Sequence, residues 1–518
     1  MPNGIASLIL VNADMLTMES AHPKAEAIAI CGDRIAAVGS NESIRLLATG
    51  RTRLIDCQGL TLLPGFNDAH CHLPGLARRL QDLNCSPQHA PSIARLQDLV
   101  RARARTYATG AWIRGFGYYD LQLAERRHPN RHDLDIASPD HPCWLEHRSG
   151  HAAVLNSRAL ALADIDGETP DPPGGVIERD PATGEPTGVL YEMQGFLRGR
   201  LGSTRSPEEF DESMRAAGEL LRGYGITSVQ DAGHDNGVDR WGTLQRLRAD
   251  AALSCRITMF AGVERLDELV SSGLVFGSGD HWLRLGHAKI LLTLSSGSLH
   301  PSPTELEALV SESHRTGFPV AIHCIEEAAI AVAAATLSDN GHPDFFDRIE
   351  HCAEGAPGLV DAIGQCGATV VTQPGFLYHS GASYRVDVEE RLLPHLYPAG
   401  ALARSGVTIA FGSDAPVIDP NPWPGIYSAV TRCASDGRPL SGTGTGEQAL
   451  DVWQALRAYT LGSAEAEGTS TVKGSLAAGK LADFVLVDTD PLSIDYEALP
   501  NVKPLMTVVG GTVVWDNR

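Results

Sequence analysis

Residues 282–293 read WLRLGHAKILLT, and residues 319–326 read PVAIHCIE. Both are short runs of apolar and β-branched residues, the pattern of a strand buried on both faces of a parallel sheet. Working outward, similar runs occur at 60–66 (LTLLPGF), 225–232 (GITSVQDA), 254–263 (SCRITMFAGV), 347–353 (DRIEHCA), 368–374 (ATVVTQP) and 407–416 (VTIAFGSDAP), which makes eight. Helical segments separate many of them. Two of these open alike, at Ser206-Pro207-Glu208-Glu209 and Ser302-Pro303-Thr304-Glu305. Each has a Ser cap, Pro at the first helical position and Glu at the third, a capping box. Eight strands alternating with helices predict a distorted (β/α)8 barrel with a parallel sheet.

The barrel does not account for the whole chain. SLILV, AEAIAICGDRIAAVG and RLIDCQG near the start read as short strands, as do ADFVLVD and LMTVVGGTVVWDN near the end. Gly32-Asp33 and Gly510-Gly511 supply hairpin turns. Neither end alone can bury a core, so residues 1–59 and 471–518 are expected to form one small β-sandwich domain. The barrel then takes 60–84 plus 206–470. Residues 85–205, rich in Arg, Pro and Gly with strand-like pieces such as GGVIERD and GVLYE, read as an insertion after barrel strand 1, expected over the barrel mouth.

Composition narrows the function. The 518 residues include 63 acidic and 42 basic side chains, a net charge of -21. Such a surface repels phosphate backbones and anionic lipid, which argues against nucleic-acid or membrane partners, while the insertion suggests a covered pocket and so a small-molecule substrate. No signal peptide or bilayer-spanning run is evident. Ten cysteines without CxxC pairs suit free thiols in a reducing cytoplasm. Only five basic residues are lysines, and between Lys24 and Lys473 there is one, Lys289.

In barrels of this kind catalytic groups sit at the C-terminal ends of the strands. Strand 1 ends in Asp68-Ala69-His70-Cys71-His72, and residues i and i+2 share a face, so both imidazoles can reach one metal ion. Strand 4 carries Lys289, strand 5 ends in His323, strand 6 in His351 and strand 8 in Asp414. Singly each is an ordinary residue; together they fall at matching ends of five strands. Burial drives Lys289 toward the neutral amine, which can add carbon dioxide and become an anionic, metal-bridging carbamate. The alternative is a structural ion pair with Asp414 or Glu350. His287 shares a face with Lys289 one layer deeper and reads as core or support. Asp231 and His234 end strand 2.

LLPGFNDAHCH, the strand-4 lysine, AIHC, RIEHC and FGSDAPV resemble the metal motifs of the amidohydrolase superfamily. Further stretches (WIRGFGYYD, HRSGHAAVLNSRAL, GGVIE, Gln373-Pro374 and GSLAAGKLADFVLVD) are similar to the subfamily containing N-substituted formamide deformylase. The resemblance implies a binuclear centre, usually zinc (Zn2+, one or two ions). His70, His72 and Asp414 would hold the first metal, His323 and His351 the second, and carbamylated Lys289 would bridge them. Many relatives carry an acidic residue four positions after this lysine, where this chain has Thr293. A metal-activated hydroxide would attack a small N-acyl or N-formyl amide, with Asp414 as general acid/base. A cyclic amide or imide hydrolase and a metal-dependent decarboxylase or lyase use similar ligands. His147, Arg148 and His151 lie in a stretch resembling a substrate-facing segment. Tyr118, Tyr119, Phe376, Tyr378 and His379 are candidates for an aromatic pocket. Such barrels often pack as homodimers, though no stretch of this sequence marks an interface.

Overall fold

A computed structural model describes residues 6–172, 174–202, 205–250, 253–294, 297–341, 345–441 and 448–518. The chain divides into two compact units, Met1–Gly75 with Ala217–Arg518, and Leu76–Ala216.

The first unit contains an eight-stranded parallel sheet whose strands lie side by side in chain order. They are Phe66–Cys71, Ile226–Asp231, Arg256–Gly262, Leu283–Leu291, Val320–Cys324, Arg348–His351, Thr369–Thr372 and Ile409–Phe411. Helices follow most of them, as in a (β/α)8 barrel. The strands are almost wholly buried on both sides, which explains their continuous apolar runs. In register, His323 lies opposite Leu291 and Glu350, His351 opposite Cys324, and Lys289 two positions lower, opposite Ala321.

No regular ladder joins the first strand to the eighth. The seam is instead stitched by Asp414 N–H to His70 O and His72 N–H to Ala415 O, both 2.7 Å. Gly412 permits this approach, because a Cβ there would fall 2.6 Å from the His70 nitrogen.

One expectation is corrected. The run 60–66 is not the first barrel strand. Thr61–Pro64 pairs with Asp14–Leu16 and Phe484–Val487 in another sheet. The barrel strand begins at Phe66, after a break at Gly65, where a Cβ would lie 2.2 Å from the Thr227 side chain. Periodicity alone cannot divide two consecutive buried strands, since both read as apolar.

Both chain ends build a pair of sheets in this same unit. One has four strands from the N-terminal segment; the other has six, three from each end of the sequence. Leu10, Ile28 and Ile30 of the first sheet share a core with Leu62, Phe484, Leu486 and Met506 of the second. Hairpins turn at Gly32-Asp33 and Gly510-Gly511. At the end of the barrel away from His70, buried Glu467 pairs with Lys473 Nζ at 2.9 Å. It also accepts from Asn67 and Gln230, at 3.2 and 3.4 Å, and from the Thr258 hydroxyl.

The second unit has a mixed six-stranded sheet. Val176–Arg179 and Pro186–Tyr191, the two strand-like pieces read from the sequence, pair antiparallel there. Both capping boxes form: Ser302 and Glu305 exchange side-chain and backbone bonds, as do Ser206 and Glu209. All ten cysteines are free thiols, and Cys71, Cys324 and Cys352 are completely buried.

Candidate metal centre

The end of the first barrel strand presents His70, and His72 follows one residue beyond it. Asp414, just past the eighth strand, lies with Oδ1 3.1 Å from His72 Nε2 and 3.6 Å from His70 Nε2. The donor atoms of all three fall within 4.8 Å of one another. Asp414 adopts φ 56°, a left-handed conformation uncommon outside glycine. The seam bond from its N–H to His70 O holds it there.

The sixth strand ends on a similar bend, with φ 68° at His351 and 49° at Cys352. The His351 ring lies 4.4 Å from that of His323 and 4.7 Å from that of His70. Lys289 is buried on the fourth strand, and its Nζ has no hydrogen-bond partner. It makes no ion pair with Asp414 or Glu350, so the structural-pair alternative does not describe it. Thr293 pairs its backbone with His300.

Protonation suits ligation. Burial holds His70 and His351 below the ordinary histidine range and takes His323 to about 2, leaving neutral imidazoles, the form that binds metals. Burial likewise lowers Lys289. Burial pushes the Asp414 carboxyl up, but the His72 hydrogen bond and the nearby histidines outweigh it and keep the group ionised.

The imidazoles are gripped from behind. His70 Nδ1 meets a Glu350 carboxylate oxygen, which can only accept, so Nδ1 carries the proton. His351 Nδ1 donates to Gln373 Oε1 at 2.8 Å. His70 Nε2 is left buried without a hydrogen-bond partner, as is Lys289 Nζ. Such orphaned groups call for an explanation. Metal-ligating histidines commonly donate the other ring N–H to a carboxylate or carbonyl, so these residues fit a divalent cation.

Glu350 was legible only as a possible partner of Lys289; its contact with His70 was not. A signal was present, since Arg348 and Glu350 are two charges on one face of a buried strand and must find partners. Asp68 was also missed as a support: it accepts from Ser413 N–H at 2.9 Å, from the Ser413 hydroxyl and from His70 N–H.

His287 Nε2 lies 2.9 Å from the Phe346 carbonyl, with its ring between those of Phe260 and Phe276. Since a carbonyl only accepts, Nε2 donates, which is the core role expected. Asp231 accepts from Leu73 N–H and Asn236 Nδ2, fixing the turn after His72. His234 is exposed.

In the second unit, Tyr118 is buried with its hydroxyl 2.9 Å from His128 Nδ1. His147 Nε2 lies 3.1 Å from Asp120 Oδ1. Arg148 stacks over Tyr119, and exposed His151 pairs with Glu192. In the first unit, Phe376 stacks on Tyr397, and Tyr378 meets His379 edge to face.

The barrel and its clustered imidazoles make up a scaffold whose residues could hold a metal ion. The model of the amidohydrolase family (Amidohydro_3) matches residues 53–515. The chain belongs to that family, and it is a hydrolase acting on carbon–nitrogen bonds other than peptide bonds. It is 28% identical to the N-substituted formamide deformylase of Arthrobacter pascens, over 98% of each chain. It is 30% identical to the protein LONG AFTER FAR-RED 3 of Arabidopsis thaliana, over 98% of this chain and 92% of that one. Its fold matches the crystal structure of an uncharacterized metal-dependent hydrolase from Pyrococcus horikoshii with a TM-score of 0.79 and 24% identity, over 94% of this chain and 99% of that one.

Proposed function

We propose that this enzyme hydrolyses a small N-acyl or N-formyl amine to a carboxylic acid and an amine. The observation that carries the reading is the cluster of His70, His72 and Asp414 beside the orphaned Lys289 Nζ. Similarity to a formamide deformylase along nearly the whole chain supports the choice of substrate class.

His70, His72 and Asp414 would hold one zinc ion, His323 and His351 a second, and Lys289 as its carbamate would join them. When bound, such ions lower the pKa of water toward neutrality and polarise a carbonyl. Asp414, ionised beside His72, accepts the proton of the attacking water at a carboxylate oxygen. It then returns that proton to the departing nitrogen, which leaves as the amine. Glu350 and Gln373 keep the rings of His70 and His351 from turning.

His147, Arg148, His151, Tyr118, Phe376 and His379 remain our candidates for substrate contacts. The absence of any disulfide among ten cysteines supports placing the enzyme in the cytoplasm.

The test is a panel of N-formyl, N-acyl and cyclic amides, with carboxylic acids as controls, incubated with zinc-loaded enzyme and with enzyme stripped by a chelator. Amine release that disappears on stripping and returns with zinc is expected. Carbon dioxide from a carboxylic acid, with no amine from any amide, would replace this reading with a lyase.

A further inference from the structure

We infer that Arg348 and Glu350 form a clamp across the barrel that positions His70 as a ligand. The inference rests on the metal reading above and adds a role that the ligand set itself does not contain.

The two residues sit on the sixth strand, and neither is accessible to solvent. Arg348 Nε donates to Glu350 Oε1 at 2.7 Å, and Nη2 lies 3.2 Å from Oε2. Glu350 Oε2 also accepts from His70 Nδ1. Arg348 Nη2 reaches further, to the carbonyl of Ala69 at 2.8 Å, and Nη1 donates to Gln230. The pair therefore holds the first strand twice, by the backbone at Ala69 and by the side chain at His70. These strands are not neighbours in the sheet, so the contact crosses the barrel interior.

Three consequences follow from elementary chemistry. A neutral imidazole has one N–H, and a carboxylate at Nδ1 dictates where it sits. The Nε2 lone pair is thereby presented toward Asp414 and His72. An unpaired buried carboxylate would be costly, and Arg348 supplies the compensating charge. Both Glu350 oxygens are taken up by Arg348 and His70, and Lys289 Nζ has no hydrogen-bond partner.

The experiment uses full-length, chelator-stripped protein as wild type, Glu350→Gln and Glu350→Leu. Zinc affinity is read by competition with a chromogenic chelator. The His70 tautomer is read in the metal-free proteins by long-range 1H–15N NMR, assigned with His70→Asn. Zinc binding should weaken by roughly 10- to 100-fold in Glu350→Leu, with Glu350→Gln in between because its oxygen still accepts from Nδ1. The wild type should show Nδ1–H at His70, and Glu350→Leu should lose that preference. A residue that only stabilises the barrel would lower the melting temperature and leave the tautomer unchanged, which would overturn the role. Zinc binding as tight as wild type in folded Glu350→Gln and Glu350→Leu would also overturn it. If Glu350→Leu does not fold, affinity and tautomer in Glu350→Gln decide. A wild type that binds no zinc defeats the metal reading and this role together, and is told apart because the failure then precedes any substitution.

Discussion

Asp68 accepts hydrogen bonds from both the backbone N–H and the hydroxyl of Ser413, joining the first barrel strand to the eighth where no ladder does so. Both residues are buried. One lies two positions before His70 and the other immediately before Asp414, so a structural seam and the proposed metal ligands share the same few residues. Ser413→Ala removes one of these bonds and also the acceptor of Ala415 N–H. The expected loss of stability is about 1–3 kcal/mol, measured by urea unfolding. A variant as stable as wild type would mean that the seam closes by other means.

Asp414→Asn keeps the shape of the side chain but removes its basicity. Turnover per zinc-loaded molecule, with zinc content measured by plasma emission on the same sample, should fall by about 10^2- to 10^4-fold. Near-normal turnover with metal retained would assign the proton transfers elsewhere.

Lys289→Ala removes the nitrogen on which a carbamate could form. Activity should be lost, and short carboxylic acids such as formate or acetate should restore part of it by supplying a carboxylate in the space left. Activity that survives the substitution without additive would exclude a bridging role. Lys289→Arg should not substitute for the native residue, since a permanently charged guanidinium forms no stable carbamate.

Glu467 provides a pH test at the other end of the barrel. Burial raises its carboxyl pKa, but Lys473 and the Thr258 hydroxyl outweigh that and lower it below the ordinary value of 4.5. A carboxylate with a depressed folded-state pKa stabilises the fold above its unfolded pKa. That contribution is lost as pH falls through the folded value. Thermal melts should therefore drop in the acid range below pH 4.5. Glu467→Gln should reduce that dependence and cost about 3–5 kcal/mol near neutrality by leaving Lys473 buried without its partner. A variant with the same acid profile as wild type would assign the dependence to other groups.

The barrel was readable because its strands are buried on both faces, and continuous apolar runs such as GHAKILLT mark them plainly. His70, His72, Lys289, His323, His351 and Asp414 were readable because each interrupts or ends such a run. The division between Thr61–Pro64 and Phe66–Cys71 was not, since the change of sheet depends on Gly65 packing against Thr227. The partnership of Glu350 with His70 was also hidden. It spans 280 positions in the chain, and local pattern carries no information about which of several buried charges will meet. The left-handed backbone at Asp414 and His351 is likewise a product of tertiary contacts.

All four histidines of the proposed metal centre adjoin cysteines, with His70 and His72 flanking Cys71, and these three thiols bear on how the enzyme withstands oxidants. Cys71, Cys324 and Cys352 have no exposed surface. Burial raises the pKa of all three, Cys352 to about 12, so each stays a protonated thiol at physiological pH. Peroxide and alkylating reagents attack the thiolate. An enzyme whose proposed ligands sit beside three sulfurs is thus shielded from inactivation through them, and brief treatment with iodoacetamide or dilute peroxide should spare its activity while the native fold persists.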